Sequence, residues 1–184
     1  MRFRRKCLHA ILILLLKKLA KKMSKHHSLP QPDEVSIEER EDAMGGYLMM
    51  FAAIAAGLPL PIINLIAAVI YYYINRKKSR FVHFHSAQSV LSQLPTSIMN
   101  AVLVFWTLRI LFYDYEYGNT YWGYLVTVIL ANLFYFGFSI WAAIKARRGQ
   151  MYYFIFFGRI SYDIAFKIRE NENNPVEAVN LPPK

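Results

Sequence analysis

Three long apolar stretches dominate this chain, at residues 44–74, 84–112 and 121–144. Each is longer than the roughly 20 residues that a helix needs to cross the hydrocarbon core of a bilayer. In lipid, a single continuous segment can satisfy its backbone hydrogen bonds only as an α-helix. Charged residues make up only 18% of the chain, against roughly 25% in soluble domains. We therefore predict an all-α fold, a polytopic helical membrane protein with about three transmembrane helices.

The first stretch contains a break that leaves two arrangements open. Pro59 and Pro61 lie near its middle, and a proline removes a helix hydrogen bond and clashes with the preceding turn. One straight helix over residues 44–74 would be about 46 Å long, whereas two full spans would need about 40 residues. A hairpin would place the preceding residues on the same side as Arg76, and a single kinked helix would place them opposite. The length favours the single kinked helix.

Charge around the apolar stretches predicts the orientation. Basic clusters follow the first and third stretches at residues 76–80 and 145–148, whereas residues 113–119 include no Lys or Arg. Short cytoplasmic loops are enriched in Lys and Arg. We therefore expect both basic clusters in the cytoplasm and residues 113–119 on the far side. This describes a multi-pass protein of the bacterial inner membrane, whose main partner is the lipid bilayer.

Residues 1–43 form an N-terminal extension, basic and then acidic, that we expect to be largely disordered. Residues 1–22 contain eight Lys or Arg and no acid, and supply most of the net charge of +10. Their apolar run is too short to span, and lysines follow it where a signal peptide has small residues. Either this segment is a membrane-surface anchor, or the true start is Met23. In the acidic part, Ser36 and Glu39 have the spacing of a helix capping box.

The C-terminal apolar segment, residues 151–168, is predicted to be an amphipathic helix that lies along the membrane interface. Arg159, Asp163 and Lys167 fall on one side of a helical wheel at i,i+4 spacing. A spanning helix would place Arg and Asp in the hydrocarbon, at roughly 2.5 kcal/mol or more each. An interfacial helix turns the stripe toward water instead. Residues 169–184 follow as a polar tail that we expect to be disordered.

The second stretch carries a polar face interrupted by Pro95, which predicts a kink. Seven polar side chains lie within about 140° of a helical wheel: His85, Gln88, Ser89, Ser92, Gln93, Thr96 and Asn100. Polar groups that face lipid tails are costly, so this face should point toward protein, headgroups or water. It is either packing polarity that bonds to neighbouring helices or the lining of a cavity or conduit.

The sequence offers no convincing catalytic, metal or cofactor site. Cys7 is the only cysteine, which excludes an intrachain disulfide and a metal site built from cysteines. His83 and His85 point about 200° apart on a helix, and no acid on the same side completes a metal site. His85 and Ser89 have the spacing of a base and a nucleophile, but no orienting acid or oxyanion hole accompanies them. We therefore predict a non-enzymatic protein without metal or cofactor.

Nucleic-acid binding is not expected either. After residue 22 the chain holds fourteen basic residues against twelve acidic ones, so the excess positive charge is confined to the N-terminal extension and to short clusters beside apolar segments. A basic stripe with interleaved stacking aromatics, the usual footprint of nucleic-acid recognition, is absent from the sequence.

The start of the second stretch resembles a family motif. Residues 79–91 have a basic start and then Phe-x-x-Phe-His-x-x-Gln at the head of a membrane helix. The pattern is similar to that of the Tic-twenty-like family, a chloroplast inner-envelope protein-import component with bacterial relatives of unknown function. The residues that carry the resemblance are Arg80, Phe81, Phe84, His85 and Gln88. It extends over about residues 44–166 and implies a helical membrane protein without enzyme activity or cofactor.

Two functional hypotheses follow. The first is a non-enzymatic scaffold or component of a membrane complex, with a membrane-protein partner or as a homo-oligomer; the resemblance implies a relation to protein translocation. The second is a small channel or transporter that uses the polar face of the second stretch. Purification in mild detergent separates them, because a stoichiometric partner favours a subunit and a lone homo-oligomer with ion flux favours a pore.

Overall fold

The computed structural model describes residues 26–52, 61–113 and 116–168. These ranges contain five α-helices: α1 (Ile37–Leu48), α2 (Pro61–Asn75), α3 (Arg80–Tyr113), α4 (Asn119–Arg147) and α5 (Phe157–Phe166). Short 3-10 helices at Pro32–Glu34 and Met49–Phe51 flank α1. The described ranges hold no strand, only one isolated bridge between His26 and Lys167. The predicted all-α class is confirmed.

Two helices are long and apolar enough to cross a membrane. These are α3, with 34 residues, and α4, with 29, and they coincide with the second and third apolar stretches. In α4, Trp122 and Trp141 are each 52% exposed, and their separation of 19 residues corresponds to about 28 Å of helix. Tryptophan prefers the membrane–water interface, and about 28 Å matches the hydrocarbon thickness. A third spanning helix is not found in the described part of the chain.

The preference for a single kinked helix over residues 44–74 was wrong. The Tyr71 hydroxyl donates to the Asp42 carbonyl at 2.8 Å, and Lys78 Nζ lies 2.7 Å from the Asp42 carboxylate. Both contacts bring α1 to the end of α2, so the two helices form a hairpin whose ends lie together. At 15 residues, α2 is about 22 Å long, too short to cross the bilayer. The acidic residues of α1 therefore lie at the same end as the basic clusters.

Helix α1 begins earlier than the predicted boundary between residues 43 and 44. Ser36 is its N-cap: the Ser36 hydroxyl accepts a hydrogen bond from the Glu39 amide, and the Glu39 carboxylate accepts one from the Ser36 amide. The predicted capping box is confirmed. It satisfies two backbone amides that a helix start leaves unpaired, which explains why an acidic segment predicted as largely disordered is helical from Ile37. Residues 1–25 of that extension lie outside the described ranges.

Helix α1 packs across the basic ends of α3 and α4. Small residues of α4 permit the close approach, and the core between the three helices consists of Val35, Ala43, Tyr47, Phe81, Ala142, Ala143 and Ala146. An ion pair between Glu41 and Arg147 lies at the edge of this contact. We call the assembly of α1, α2, residues 80–93 of α3, the end of α4 and residues 149–166 the cap.

The C-terminal segment turns back onto the cap. Gly149 ends α4 with φ of 72°, a left-handed conformation that glycine adopts without strain. The predicted helix over residues 151–168 is shorter than expected, because residues 151–154 are non-helical and α5 begins only at Phe157. With 10 residues, α5 is about 15 Å long and cannot span the membrane.

Helices α3 and α4, the two candidate spans, are joined by polar contacts along their length. The amides of Asn100 and Asn132 exchange two hydrogen bonds, at 3.0 and 3.1 Å. Toward the far end, the hydroxyls of Thr107 and Tyr121 lie 2.8 Å apart. Paired polar side chains of this kind hold membrane helices together, since lipid offers no competing partner.

Candidate functional site

The basic end of α3 is enclosed by protein on all sides. Ten consecutive residues at the start of the helix are buried, from Arg80 to Ser89. Five of them carry hydroxyl, imidazole or amide groups: His83, His85, Ser86, Gln88 and Ser89. When a helix is buried on all sides, the surrounding protein must provide hydrogen-bond partners for its polar side chains. The surrounding elements are α1, α2, α5 and residues 151–154.

Gln88 is the centre of this arrangement. Its Nε2 donates to the Tyr47 hydroxyl and to the Tyr152 carbonyl, both at 2.8 Å. Its Oε1 accepts from the Phe154 amide at 3.2 Å. One fully buried side chain therefore binds α1 and the non-helical segment after α4 to α3. These two partly buried backbone groups lie in a non-helical segment, so a side chain takes the place of a helix or strand partner.

Tyr47 and His85 extend the network. The Tyr47 oxygen lies 3.0 Å from His85 Nδ1, and because it accepts from Gln88, its own proton is directed to His85. Donation from Tyr47 to Nδ1 corresponds to the His85 tautomer that carries its proton on Nε2. Burial raises the pKa of the Tyr47 phenol, so the group acts as a neutral donor and acceptor. The His85 ring also makes edge contacts with Phe81 and Phe84, at centroid distances of 4.5 and 5.0 Å.

The serine hydroxyls bond to backbone carbonyls. Ser89 donates to the Gly46 carbonyl of α1 at 2.6 Å. Ser86 and Ser92 donate within α3, to the Val82 and Ser89 carbonyls. Gly46 packs against Ser86: a Cβ placed at Gly46 would lie 3.4 Å from the Ser86 Cα. A small residue is therefore what lets the hydroxyl of Ser89 reach the backbone of α1.

The structure divides the predicted polar face into two groups. His85, Gln88, Ser89, Ser92 and Gln93 are buried in or beside the cap, whereas Thr96 and Asn100 are half-buried further along α3. Thr96 donates to the Gln93 carbonyl, and Asn100 pairs with Asn132. Only the first group lies near the network.

The partners of this face include residues that sequence reasoning missed. Tyr47 lies in the first apolar stretch, where an aromatic side chain carries no distinctive signal; the neighbouring Gly45 and Gly46 were the available indication of a close helix contact. The carbonyl of Tyr152 and the amide of Phe154 are backbone groups, which no sequence pattern reveals.

The two histidines of the His-x-His motif have separate partners. His83 Nε2 lies 3.0 Å from the Tyr72 hydroxyl of α2, whereas His85 bonds to Tyr47 of α1. Across residues 26–52, 61–113 and 116–168, no group of three His, Cys, Asp or Glu side chains is placed to hold a metal ion.

The predicted interfacial stripe lies on a different surface. Asp163 accepts from His26 Nε2 at 2.8 Å, Arg159 is exposed on α5, and Lys167 follows the end of the helix. Ala165 and Phe166 of α5 pack on α3 in a cluster with Phe84. The exposed stripe residue Arg159 is therefore not part of the buried network around Gln88.

The fold and the network define a class: an all-helical membrane protein with two candidate spans and a hydrogen-bonded cap at its basic end. The chain belongs to the MamF/MmsF family, described as the magnetosome magnetite crystal formation protein family, whose profile matches residues 42–161. That range includes most of the cap and both candidate spans. No curated protein and no solved structure matches the chain.

The resemblance to the Tic-twenty-like family was wrong, because the family match is to MamF/MmsF. The motif residues Arg80, Phe81, Phe84, His85 and Gln88 are all buried at the head of α3. Their spacing reflects how this helix packs inside the cap, and such a packing pattern can arise in unrelated membrane proteins. The relation to protein translocation rested on that resemblance and is not supported by the family match.

Proposed function

We propose that this chain is a non-enzymatic structural component of the membrane in which magnetite crystals form. The family description names the process, magnetite crystal formation. The contacts of the described residues support a structural role in it. The cap holds α1, α2 and residues 149–166 in one place at the end of the two spans. Such a unit can act as a scaffold for a membrane-protein partner or for a second copy of the chain.

The hydrogen bonding of Gln88 is the observation that carries this proposal. All three of its hydrogen bonds connect α3 to other segments of the cap, two of them through backbone groups. A catalytic side chain needs a hydrogen-bonding group that is available to the substrate. In Gln88, both N–H donors and the carbonyl oxygen form hydrogen bonds within the cap. Ser89 does the same through the Gly46 carbonyl. The site therefore favours a positioning role over chemistry.

The channel alternative has less support from the same residues. The five polar side chains nearest the basic end are packed inside the cap, and the amide of Asn100 is engaged by Asn132. A conduit along α3 would need these groups to face a continuous aqueous path.

We further propose that the cap faces the cytoplasm. Both basic clusters lie within or directly beside it in the chain, and Lys and Arg are enriched on the cytoplasmic side. In a Cys7→Ser background, a cysteine at Asn119 should react with an impermeant thiol reagent in intact cells, and a cysteine at Lys78 should not. A tag placed before Glu34 should also be protected from external protease. Labelling of only the Lys78 position would reverse the orientation.

The functional test is replacement of the gene in a magnetite-forming bacterium. Cells that lack the chain should form crystals of altered size or number, and the wild-type gene should restore them. Gln88→Leu should fail to restore them, whereas Val90→Leu, at a half-buried neighbouring position of α3, should succeed. Electron microscopy measures the crystals, and immunoblotting of membrane fractions confirms that both variants are present. Unchanged crystals in the deletion strain would contradict the proposal.

A further inference from the structure

Helix α2 carries a stripe of isoleucine side chains on its outer face. The opposite face packs on α3, since Ala68 is buried and the Tyr72 hydroxyl lies 3.0 Å from His83 Nε2. Side chains four positions apart lie on the same side of a helix, so the isoleucines form one apolar patch. A patch of this kind indicates an interaction surface. The stripe residues recur at every fourth position, and each is between 50% and 67% exposed: Ile62, Ile66, Ile70 and Ile74.

The inner end of the stripe is level with the start of the exposed apolar surface of α3. Residues 76–79 connect α2 to α3, and a connection this short makes the two helices antiparallel neighbours. Ile62 precedes Tyr72 by ten residues, so it lies about 15 Å along α3 from the Tyr72–His83 contact. At the same distance from His83, α3 reaches Leu94, the first of its exposed large apolar side chains. The apolar surface of this candidate span therefore continues onto α2.

Cation–aromatic pairs lie at the end of α2 and at the end of α4. The Arg76 guanidinium lies 4.6 Å from the centre of the Tyr73 ring, and Lys145 Nζ lies 5.4 Å from the centre of the Trp141 ring. Tyrosine and tryptophan prefer the headgroup level, and Lys and Arg extend their charges to water. Between Ile62 and Tyr73 the sequence has no Asp, Glu, Lys or Arg. This pattern is typical of a helix that starts in hydrocarbon and ends at the membrane interface.

The other arm of the hairpin reaches the same apolar layer. Glu41 of α1 pairs with Arg147 at the basic end of α4. Ten residues later, the ring of Phe51 contacts the ring of Phe136 at a centroid distance of 5.4 Å. Phe136 precedes Trp141 by five residues, about 7.5 Å along α4 toward the middle of the membrane. The chain therefore descends from the interface along α1, and α2 returns it to the basic cluster at residues 76–80.

We propose that the α1–α2 hairpin is re-entrant: it enters and leaves the leaflet on the cap side, with the isoleucine stripe against the acyl chains. From Tyr73 to Ile62, α2 descends about 16 Å, close to half of the roughly 30 Å hydrocarbon core. A helix satisfies its own backbone hydrogen bonds and can therefore lie in lipid. In the described part of the chain, only α3 and α4 are long enough to continue into the other leaflet. The cap is then embedded in one leaflet and is not a domain in water above the bilayer.

The test measures the depth of the stripe, with the full-length chain in nanodiscs of phospholipids brominated at defined acyl positions. Single cysteines at Ile62, Ile66 and Ile70, in a Cys7→Ser background, carry a bimane fluorophore. We expect bromolipids to quench all three labels, with the most effective bromine position moving toward the bilayer centre from Ile70 to Ile62. Iodide in the buffer reaches both faces of the disc and should leave them unquenched. A label at Ile98 is the control for lipid, and one at Glu38, exposed in the first turn of α1, is the control for water.

Ile66→Asp and Ile37→Asp compare one substitution at two exposed positions. An acid in hydrocarbon is costly, whereas an acid at a helix N-terminus in water is favourable. Ile66→Asp should therefore lower the temperature of thermal unfolding in the discs. Ile37→Asp, at the start of α1, should leave it unchanged or raise it.

Two results would overturn the proposal. The first is quenching of the Ile66 and Ile70 labels by iodide, as at Glu38, without quenching by bromolipids. It would place the cap in water, and Ile66→Asp would then unfold at the same temperature as Ile37→Asp. The second is shielding of the labels from both reagents, which would mean that protein covers the stripe; elution of the chains as dimers would identify that protein as a second copy.

Discussion

The two halves of α3 lie in different environments: the first is enclosed by protein, and the second has an exposed apolar surface. Twelve of the first fourteen residues are buried, and they include most of the polar side chains of the helix. Beyond residue 93, only Ile110 is buried. Apart from Arg109 near the far end, the exposed large side chains are apolar, such as Ile98 at 62% and Phe105 at 64%. In the cap, protein groups solvate the polar side chains; in the span, lipid solvates the apolar ones. One continuous helix can therefore reverse the inside–outside pattern along its length.

The difference predicts that the two halves respond differently to mutation. Polar residues of the cap such as Gln88, Ser89 and His85 have partners on other segments, so their removal leaves groups there unpaired. Polar residues of the span are few and paired between two helices, where measured interaction energies are smaller. The variants below test this contrast in order of expected effect on the free energy of unfolding.

Gln88→Leu should be the most damaging. It leaves the Tyr152 carbonyl and the Phe154 amide without their side-chain partner and removes one partner of Tyr47. At about 1–3 kcal/mol for a buried unpaired group, we expect a loss of about 2–4 kcal/mol. Thermal unfolding in detergent, followed by circular dichroism, measures it. Val90→Leu on the same helix should change stability by less than about 1 kcal/mol. Equal losses of stability in Gln88→Leu and Val90→Leu would contradict a special role for the Gln88 network.

Gly149→Ala should follow, because it acts on the turn that brings residues 151–154 back to Gln88. Alanine in the left-handed region costs about 1–2 kcal/mol, and its Cβ would lie 3.0 Å from the Pro32 carbonyl oxygen. Gly118→Ala is the control, since it makes the same chemical change at the start of α4, where φ is −74° and no atom lies within 4 Å. If both variants melt at the wild-type temperature, the turn is not constrained as described.

Asn100→Leu should cost about 1 kcal/mol, within the range measured for hydrogen bonds between membrane helices. It leaves Asn132 with the Val128 carbonyl as its remaining partner. Because the pair is reciprocal, Asn132→Leu in the Asn100→Leu background should cost less than it does alone. A double-mutant cycle in the same unfolding assay measures the coupling, and strict additivity would show that the two amides do not interact.

Lys78→Ala should have the smallest effect, about 0–1 kcal/mol. Its ion pair with Asp42 joins the two arms of the hairpin, but the lysine side chain is 50% exposed, and salt and water screen such pairs. The effect should shrink further in 1 M NaCl. A loss as large as that of Gln88→Leu would mean that charge, rather than the buried network, holds the hairpin.

The sequence was sufficient for features that depend on local patterns. The lengths of the second and third apolar stretches gave α3 and α4 to within a few residues, and the spacing of Ser36 and Glu39 gave the start of α1. The hairpin could not be obtained in this way, because 31 apolar residues fit one helix or two. The contacts that decide between them, from Tyr71 and Lys78 to Asp42, join residues distant in the chain.

The candidate site was accessible only in part. Helical spacing placed His85, Gln88 and Ser89 on one face, but it could not distinguish a face that packs from a face that lines a conduit. The difference lies in the partners, and these are Tyr47 and the backbone of residues 152–154. The non-helical segment after Gly149 could not be predicted either, because residues 151–168 are apolar enough to form a longer helix.

An accessibility scan along α3 tests the contrast between its halves most directly. Single cysteines at each position of Arg80–Tyr113, in a Cys7→Ser background, would carry spin labels, with oxygen reporting contact with lipid and a nickel chelate reporting contact with water. Labels on residues 81–89 should be shielded from both reagents. Labels on residues 94–113 should show oxygen accessibility that recurs every 3.6 residues, with maxima near Ile98, Phe105 and Phe112. A 3.6-residue oxygen periodicity that continues unbroken to Arg80 would contradict the enclosed cap.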